Sequence, residues 1–191
     1  IHGSAHTPTY LLKNLALEAD RLQNVEIVSI SLYGELYVDK PQFKDNFHFN
    51  SLFVSAAVRN AVKEGYADYV PVFLSEIPEL FKQHILPIDV AIVQVSPPDM
   101  HGYCSLGVSV DIARSAVNTA KILIAQVNPN APRTHGDGLV HNSRFSAMVY
   151  CEDALHEANF GEKMGANEKK IGEYVAEMID DKCTLQMGIG A

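Results

Sequence analysis

Apolar positions along this chain recur with two periods that take turns. Leu12, Leu15, Ala16, Ala19 and Leu22 lie at helical spacing behind Thr7-Pro8, a good cap residue followed by one suited to the first helical turn. Residues 25–30 alternate as a strand does, with the apolar excess of a buried one. Residues 34–50 are rich in Phe, Asp and Asn, show neither period, and are expected to be irregular. A second helix is expected from Ser51, with Val54, Val58 and Val62 on one side and Gly65 as its stop. Residues 69–74 read as a strand, and Ser75 caps a short helix to about residue 83. The clearest buried strand is 88–95. A helix over 111–120 leads into a second apolar strand, 121–127, closed by Asn128-Pro129. Residues 130–146 read as a long surface or functional loop, and 147–151 as a short strand. Residues 168–179 form an amphipathic helix with Ile171, Val175, Met178 and Ile179 inward, and 183–187 a final strand running into Gly188. Alternating strands and helices predict an α/β fold with a mostly parallel sheet and helices on both faces. Such sheets bind ligands at the carboxyl ends of their strands.

Composition narrows this picture. A chain of 191 residues with 47% hydrophobic residues is long enough to bury roughly 70% of its unfolded surface. Lys and Arg total 15 against 23 Asp and Glu, a net charge of −8 with no basic run, which argues against a nucleic-acid partner. No apolar run approaches the ~20 residues of a membrane helix, so no membrane partner is expected. Cys104, Cys151 and Cys183 are few, odd in number and widely spaced; this suits a reducing, cytoplasmic compartment. The first residue is Ile1 rather than Met, inside what reads as a loop. A native N-terminus upstream, and with it a mitochondrial address, is therefore compatible with this sequence.

Four loops fall where chemistry is expected. Small residues around Ser4, Ala5 and His6 run straight into a helix N-terminus, where free N–H groups suit a phosphate or an oxyanion; an ordinary capped turn has the same composition. In residues 96–107, Asp99 and His101 offer an acid/base pair or ligand atoms, while Pro97-Pro98-Asp99 is equally a rigid turn. In residues 128–141, Arg133 suits a carboxylate or phosphate, and His135, Asp137 and His141 lack a metal-ligand spacing, so no metal is expected. Last, a strand enters Gly188-Ile189-Gly190-Ala191, a turn that lets backbone approach a ligand.

Taken together and in order, these segments carry a resemblance. Gly3-Ser4-Ala5-His6-Thr7-Pro8, residues 70–75, Val95-Ser96-Pro97-Pro98-Asp99-Met100-His101-Gly102-Tyr103, Asn128-Pro129 with Pro132-Arg133-Thr134 and Gly136-Asp137, and Leu185-Gln186-Met187-Gly188-Ile189-Gly190-Ala191 resemble the successive motifs of the acetyl-CoA hydrolase/transferase family. The 4-hydroxybutyrate and butyrate/acetate coenzyme A transferases are its most similar members. The resemblance implies the N-terminal domain of a two-domain class I CoA-transferase fold. Residues 1–182 would form that domain, and 183–191 the first strand and glycine loop of the next. It implies acyl-CoA and short carboxylic acids as substrates and coenzyme A held as substrate rather than cofactor; a homo-oligomer is expected because a chain missing half an interdomain interface exposes apolar surface. The resemblance also implies a glutamyl-CoA thioester whose glutamate lies downstream of Ala191, so that no catalytic nucleophile is in this chain. Ser4, Ala5 and His6 match the oxyanion-side loop and Gly188, Ile189 and Gly190 the CoA loop. Ser96, Asp99, His101 and Arg133 match loops of the cleft. An acyl-CoA hydrolase, or a non-catalytic CoA-binding or assembly module, are the alternatives.

Overall fold

The computed structural model describes residues 1–158 and 164–186. The chain divides into two compact units, Ile1–His156 and a second beginning at Glu157.

In the first unit, strands β1 (Val25–Ser29), β2 (Phe47–Ser51) and β3 (Ala67–Tyr69) pair in the order β1-β2-β3, all parallel. Strands β4 (Val90–Val95), β6 (Ile122–Val127) and β8 (Ala147–Tyr150) form a second parallel sheet in the order β4-β6-β8. β5 (Tyr103–Ser105) and β7 (Leu139–His141) make an antiparallel ribbon between them in sequence. The α/β class and the parallel pairing hold; the parallel strands fall into two sheets rather than one.

Alternation assigns the faces. Ile27, Phe47 and Phe49 pack with Leu12 of helix α1 (Thr9–Leu17) and Ala61 of α2 (Arg59–Glu64). Val28 and Ile30, of opposite parity, join Ile77 and Phe81 of α3 (Ile77–Lys82) in another cluster, which Ile112, just ahead of α4 (Ala113–Thr119), completes. In the second sheet, Ala91, Val93, Val95, Leu123, Ala125 and Val127 pack on Val117 of α4 and on Cys104 and Val140 of the ribbon. Full burial of each Leu, Val or Phe contributes roughly 1.5–3 kcal/mol, so every sheet is held by clusters of such side chains.

Several sequence expectations are corrected. Residues 34–50 are not wholly irregular: Phe47 and Phe49 alternate with His48 and Asn50, and this period of two forms β2. Ser51 therefore ends a strand; its hydroxyl donates to Phe53 O, and the helix waits until Arg59. Thr7 does not cap α1, because its hydroxyl donates to Ser4 O and accepts from Tyr33 N. The strand expected over 69–74 stops at Tyr69, since Pro71 has no N–H to continue the ladder. Helix α3 starts after Glu76, not Ser75. The 130–146 loop contains β7 and a short 3₁₀ turn, Asn142–Arg144.

In the second unit, helix α5 (Ala166–Glu177) opens with Gly165 N–H donating to Glu168, a carboxylate well placed in the first turn. Ile171, Val175, Met178 and Ile179, expected inward, are exposed. Residues 183–186, expected to begin a strand, form no ladder, and Cys183 is exposed rather than in an apolar strand. A strand needs a paired neighbour, and none pairs with this segment among the described residues. No helix among the described residues is long and apolar enough to cross a membrane.

Candidate functional site

The second sheet ends in a pair of glutamines. Gln94 and Gln126 sit opposite each other in register, one residue before the ends of β4 and β6, and both are buried. Their parity points them away from the apolar cluster that Val93, Val95, Ala125 and Val127 enter. Gln126 Nε2 donates to Gln94 Oε1 (2.8 Å) and reaches Asp153 Oδ2 (3.4 Å), while Gln126 Oε1 accepts from Leu11 N (3.3 Å). Asn128, fully buried, donates to Gln94 Oε1 (3.3 Å) and to Asp153 O (2.8 Å). This network fastens the first turn of α1 and the segment after β8 to the carboxyl ends of β4 and β6.

Above it opens a cavity of about 290 Å³, lined by Thr7, Thr9, Tyr10, Lys13, Tyr37, Gln94, Gln126, Asp153 and His156. Thr9 Oγ1 and His156 Nε2 are 2.7 Å apart, one donating to the other according to the imidazole tautomer. Burial pushes the His156 pKa below the usual imidazole range, against the opposing pull of Asp153. The ring lies against Gly34, whose φ is +78°; a Cβ there would overlap the imidazole, so glycine is the residue that lets His156 reach Thr9. An imidazole, hydroxyls and amide groups, with Lys13 and Asp153 carrying opposite charges on the wall, suit a small polar ligand. Gln126→Leu removes the acceptor of the half-buried Leu11 N–H and a buried donor to Gln94. It is expected to cost about 2 kcal/mol in urea unfolding.

The residues expected from sequence fall in three places. The first loop is a tight turn. Ser4, at φ +53°, donates its N–H to Ser31 O, and His6 N–H donates to Gly3 O. Ala5 N–H has no such partner among the described residues. His6 is fully buried, neither ring nitrogen has a hydrogen-bond partner among the described residues, and it packs against Gly107. Ser4, Ala5 and His6 do not line the polar cavity, but Thr7 and Thr9 of the same segment do.

Asp99 and Arg133 come together as a clamp. Asp99 Oδ1 accepts from His101 N (2.9 Å) and Tyr103 N (2.8 Å). Arg133 donates to Asp99 Oδ2 (2.6 Å) and to Tyr103 O (2.8 Å). The bond from Tyr103 N, with those from His101 N and Arg133, holds the Asp99 carboxyl below its ordinary pKa. Ser96 Oγ, buried, accepts from Ser105 N (2.9 Å). His101 is exposed, and none of the four residues lines the cavity. Asp137 pairs with Arg114 (3.4 Å), and His141 Nδ1 bonds Ser143 Oγ (2.8 Å). Burial pushes the Cys104 and Cys151 thiols up to about 11, far from an activated thiolate. Gly188, Ile189 and Gly190 lie outside the described residues.

Gln94, Gln126, Asn128, Asp153 and His156 were missed. One signal for them was present: Gln94-Val95-Ser96 and Gln126-Val127-Asn128 repeat Gln-Val-polar at the ends of two apolar strands.

The sequence profile of the acetyl-CoA hydrolase/transferase N-terminal domain matches residues 1–178. The chain belongs to this family. It is 44% identical over 184 residues to the 4-hydroxybutyrate coenzyme A transferase of Clostridium kluyveri, covering 96% of this chain and 43% of that protein. It is 40% identical over 194 residues to the succinyl-CoA:acetate/propanoyl-CoA:succinate CoA transferase of Fasciola hepatica, covering 100% and 40%. Its fold superposes on RipA from Yersinia pestis with a TM-score of 0.86 at 28% identity, covering 99% of this chain and 46% of that one. For the 4-hydroxybutyrate CoA-transferase from Porphyromonas gingivalis the TM-score is 0.75 at 28% identity, covering 99% and 43%. The chain thus spans less than half the length of these relatives.

Proposed function

We propose that this family member supplies the carboxylate-holding half of the cleft of an acyl-CoA:carboxylate CoA-transferase. The observation that carries the reading is the polar cavity at the carboxyl ends of β4 and β6, built from Thr9, Gln94, Gln126, Asp153 and His156 and walled by a hydrogen-bonded network. Membership of the family, and relatives named as CoA-transferases, support the reaction class.

The reaction is a double displacement. A glutamate outside this chain attacks the acyl-CoA carbonyl, the C–S bond breaks, and CoA thiolate leaves. The thiolate attacks the glutamyl carbonyl of the mixed anhydride, releasing the acid as its carboxylate and leaving a glutamyl-CoA thioester. An incoming carboxylate completes the exchange by the same two steps in reverse. Within this scheme the Thr9 hydroxyl and His156 ring orient the free carboxylate, and Lys13 at the mouth favours its entry. Ser4, Ala5 and His6 belong to the turn that carries Thr7 and Thr9 into place. The Asp99–Arg133 clamp holds the neighbouring loop.

In a full-length transferase built on this sequence, Thr9→Val and His156→Phe are expected to raise KM for the carboxylate acceptor roughly tenfold, the loss of about one hydrogen bond, with KM for acyl-CoA little changed. Unchanged KM for both substrates would sink the assignment of the cavity. Borohydride trapping of full-length enzyme with acyl-CoA is expected to modify one glutamate, none of it in residues 1–191. Acceptor-independent loss of acyl-CoA would point instead to a hydrolase. The isolated chain is expected to show no turnover.

A further inference from the structure

Two sheet edges, each lacking a paired strand among the described residues, face one another in the first unit. Along β1, Val25 N donates to Asn46 O and Ser29 O accepts from Leu52 N, so residues 25, 27 and 29 bond to β2. The peptide groups of Glu26 and Val28 therefore point away from β2. Along β4, Asp89 O accepts from Ile122 N and Val95 O from Asn128 N, so odd-numbered residues bond to β6, and Val90 and Ile92 point away. Both edges line one cavity of about 670 Å³. Its remaining walls are mainly apolar, with Leu15 and Leu22 from the cluster around α1, Phe81, Ile112 and Ala116 from the cluster around α3 and α4, and Asp111 beside them.

Residues 1–4 cross the mouth of this cavity as a strand would. Ile1 N donates to Val28 O (2.9 Å) on one side, and His2 N donates to Ile92 O (2.9 Å) on the other. Ser4 then forms a parallel bridge with Leu32, just beyond β1. Successive residues bonding to opposite neighbours is the pattern of a central strand in a parallel sheet.

We propose that this cavity seats a further strand, parallel to β1 and β4 and continuous with Ile1, which joins the two three-stranded sheets into one. The order becomes β3-β2-β1, the added strand, then β4-β6-β8. The register follows from the two rungs already formed. The residue immediately before Ile1 donates to Val90 O and accepts from Ile92 N. The one before it donates to Glu26 O and accepts from Val28 N. Two more residues accept from Val90 N and Glu26 N, so about four residues at ~3.3 Å each complete the slot. Apolar clusters on both faces call for Val or Ile at both parities. A covalent continuation suits the site better than a free peptide. It replaces the buried Ile1 ammonium by a neutral amide, whereas a free peptide would bury its carboxylate beside that ammonium. The added strand would also anchor residues 2–8, the segment that carries Thr7 into the polar cavity.

The test compares two N-terminal extensions of this chain, five residues of alternating Val and Ile, and five of Gly and Ser. Hydrogen exchange at the amides of Glu26, Val28, Val90 and Ile92 is expected to slow by about tenfold or more with the first and not with the second, while Ile27, Ala91 and Val93 change little. Proline immediately before Ile1 removes the rung to Val90 O and is expected to cancel most of the protection. Equal exchange in the two extended chains overturns the proposal, as does equal protection by a free peptide of the Val/Ile sequence. In the chain without any extension, the same four amides are expected to exchange at least about tenfold faster than Ile27 and Val93. Equal protection there overturns the proposal without reference to any variant.

Discussion

Gly107→Ala is expected to destabilise this protein by about 3 kcal/mol or more, read as a lower urea midpoint at unchanged slope. Gly107 has φ +65°, a region that costs an alanine roughly 1 kcal/mol. A second cost comes from His6. A Cβ at Gly107 would overlap the His6 ring, which is fully buried and can yield only by displacing its neighbours. The Gly107 backbone cannot yield either: its N–H donates to Ser105 Oγ (3.0 Å), and its carbonyl accepts from Thr134 Oγ1 (2.7 Å). Gly65 supplies the control, with φ +81° and no heavy atom within 4 Å of an added Cβ. Gly65→Ala is expected to lose only the backbone strain, about 1 kcal/mol. The double variant His6→Ala, Gly107→Ala is expected to recover part of the Gly107→Ala loss. Equal losses at the two glycines would show that His6 plays no part.

Lowering the pH from 7 to 4 is expected to remove about 3 kcal/mol of stability for each of two buried imidazoles. Burial pushes His2 down to about 4, against the opposing pull of Ser109 O, 2.6 Å from Nε2, and of Gln94 O, 3.1 Å from Nδ1. His6 is also pushed to about 4, by burial first and then by the neighbouring His2, whose ring centroid is 5.2 Å away. Between about 4 and 6.5 the unfolded chain holds these protons and the folded one does not. Stability therefore rises with pH across that window and is flat above it as far as these two rings are concerned. Urea unfolding at intervals from pH 4 to 8 reads the slope, and His2→Gln is expected to flatten the acid part of it. A curve level from 6.5 to 4 would contradict the neutral, buried rings.

Much of the fold was legible because burial leaves a period in the sequence. β4 and β6 are six-residue apolar strands, and each lies within the span expected for it. β2 was missed because Phe47, Phe49 and Ser51 face the core while His48 and Asn50 intervene, and a run so mixed reads as irregular. The start of α1 was misread for a different reason. Thr7 has the right chemistry for a cap, but its hydroxyl serves Ser4 and Tyr33, a partner 26 positions away. Local preference is a weak prior when a distant group competes for the same atom.

By itself the sequence determined the α/β class, the positions of most strands and helices, the acidic character and the family, since these depend on spacing and ordered motifs that need no neighbour across space. The polar cavity was decided by tertiary structure alone. It gathers Thr9, Tyr37, Gln94, Gln126 and His156 from segments up to 147 positions apart, as the bond between Thr9 and His156 shows. Periodicity tells which face of a strand is covered; only parallel pairing in register sets Gln94 beside Gln126. The same holds for Asp99 and Arg133, expected as free chemistry in the cleft loops and found bonded to each other. Two charges of opposite sign on adjacent loops meet because the β5–β7 ribbon brings them within 2.6 Å.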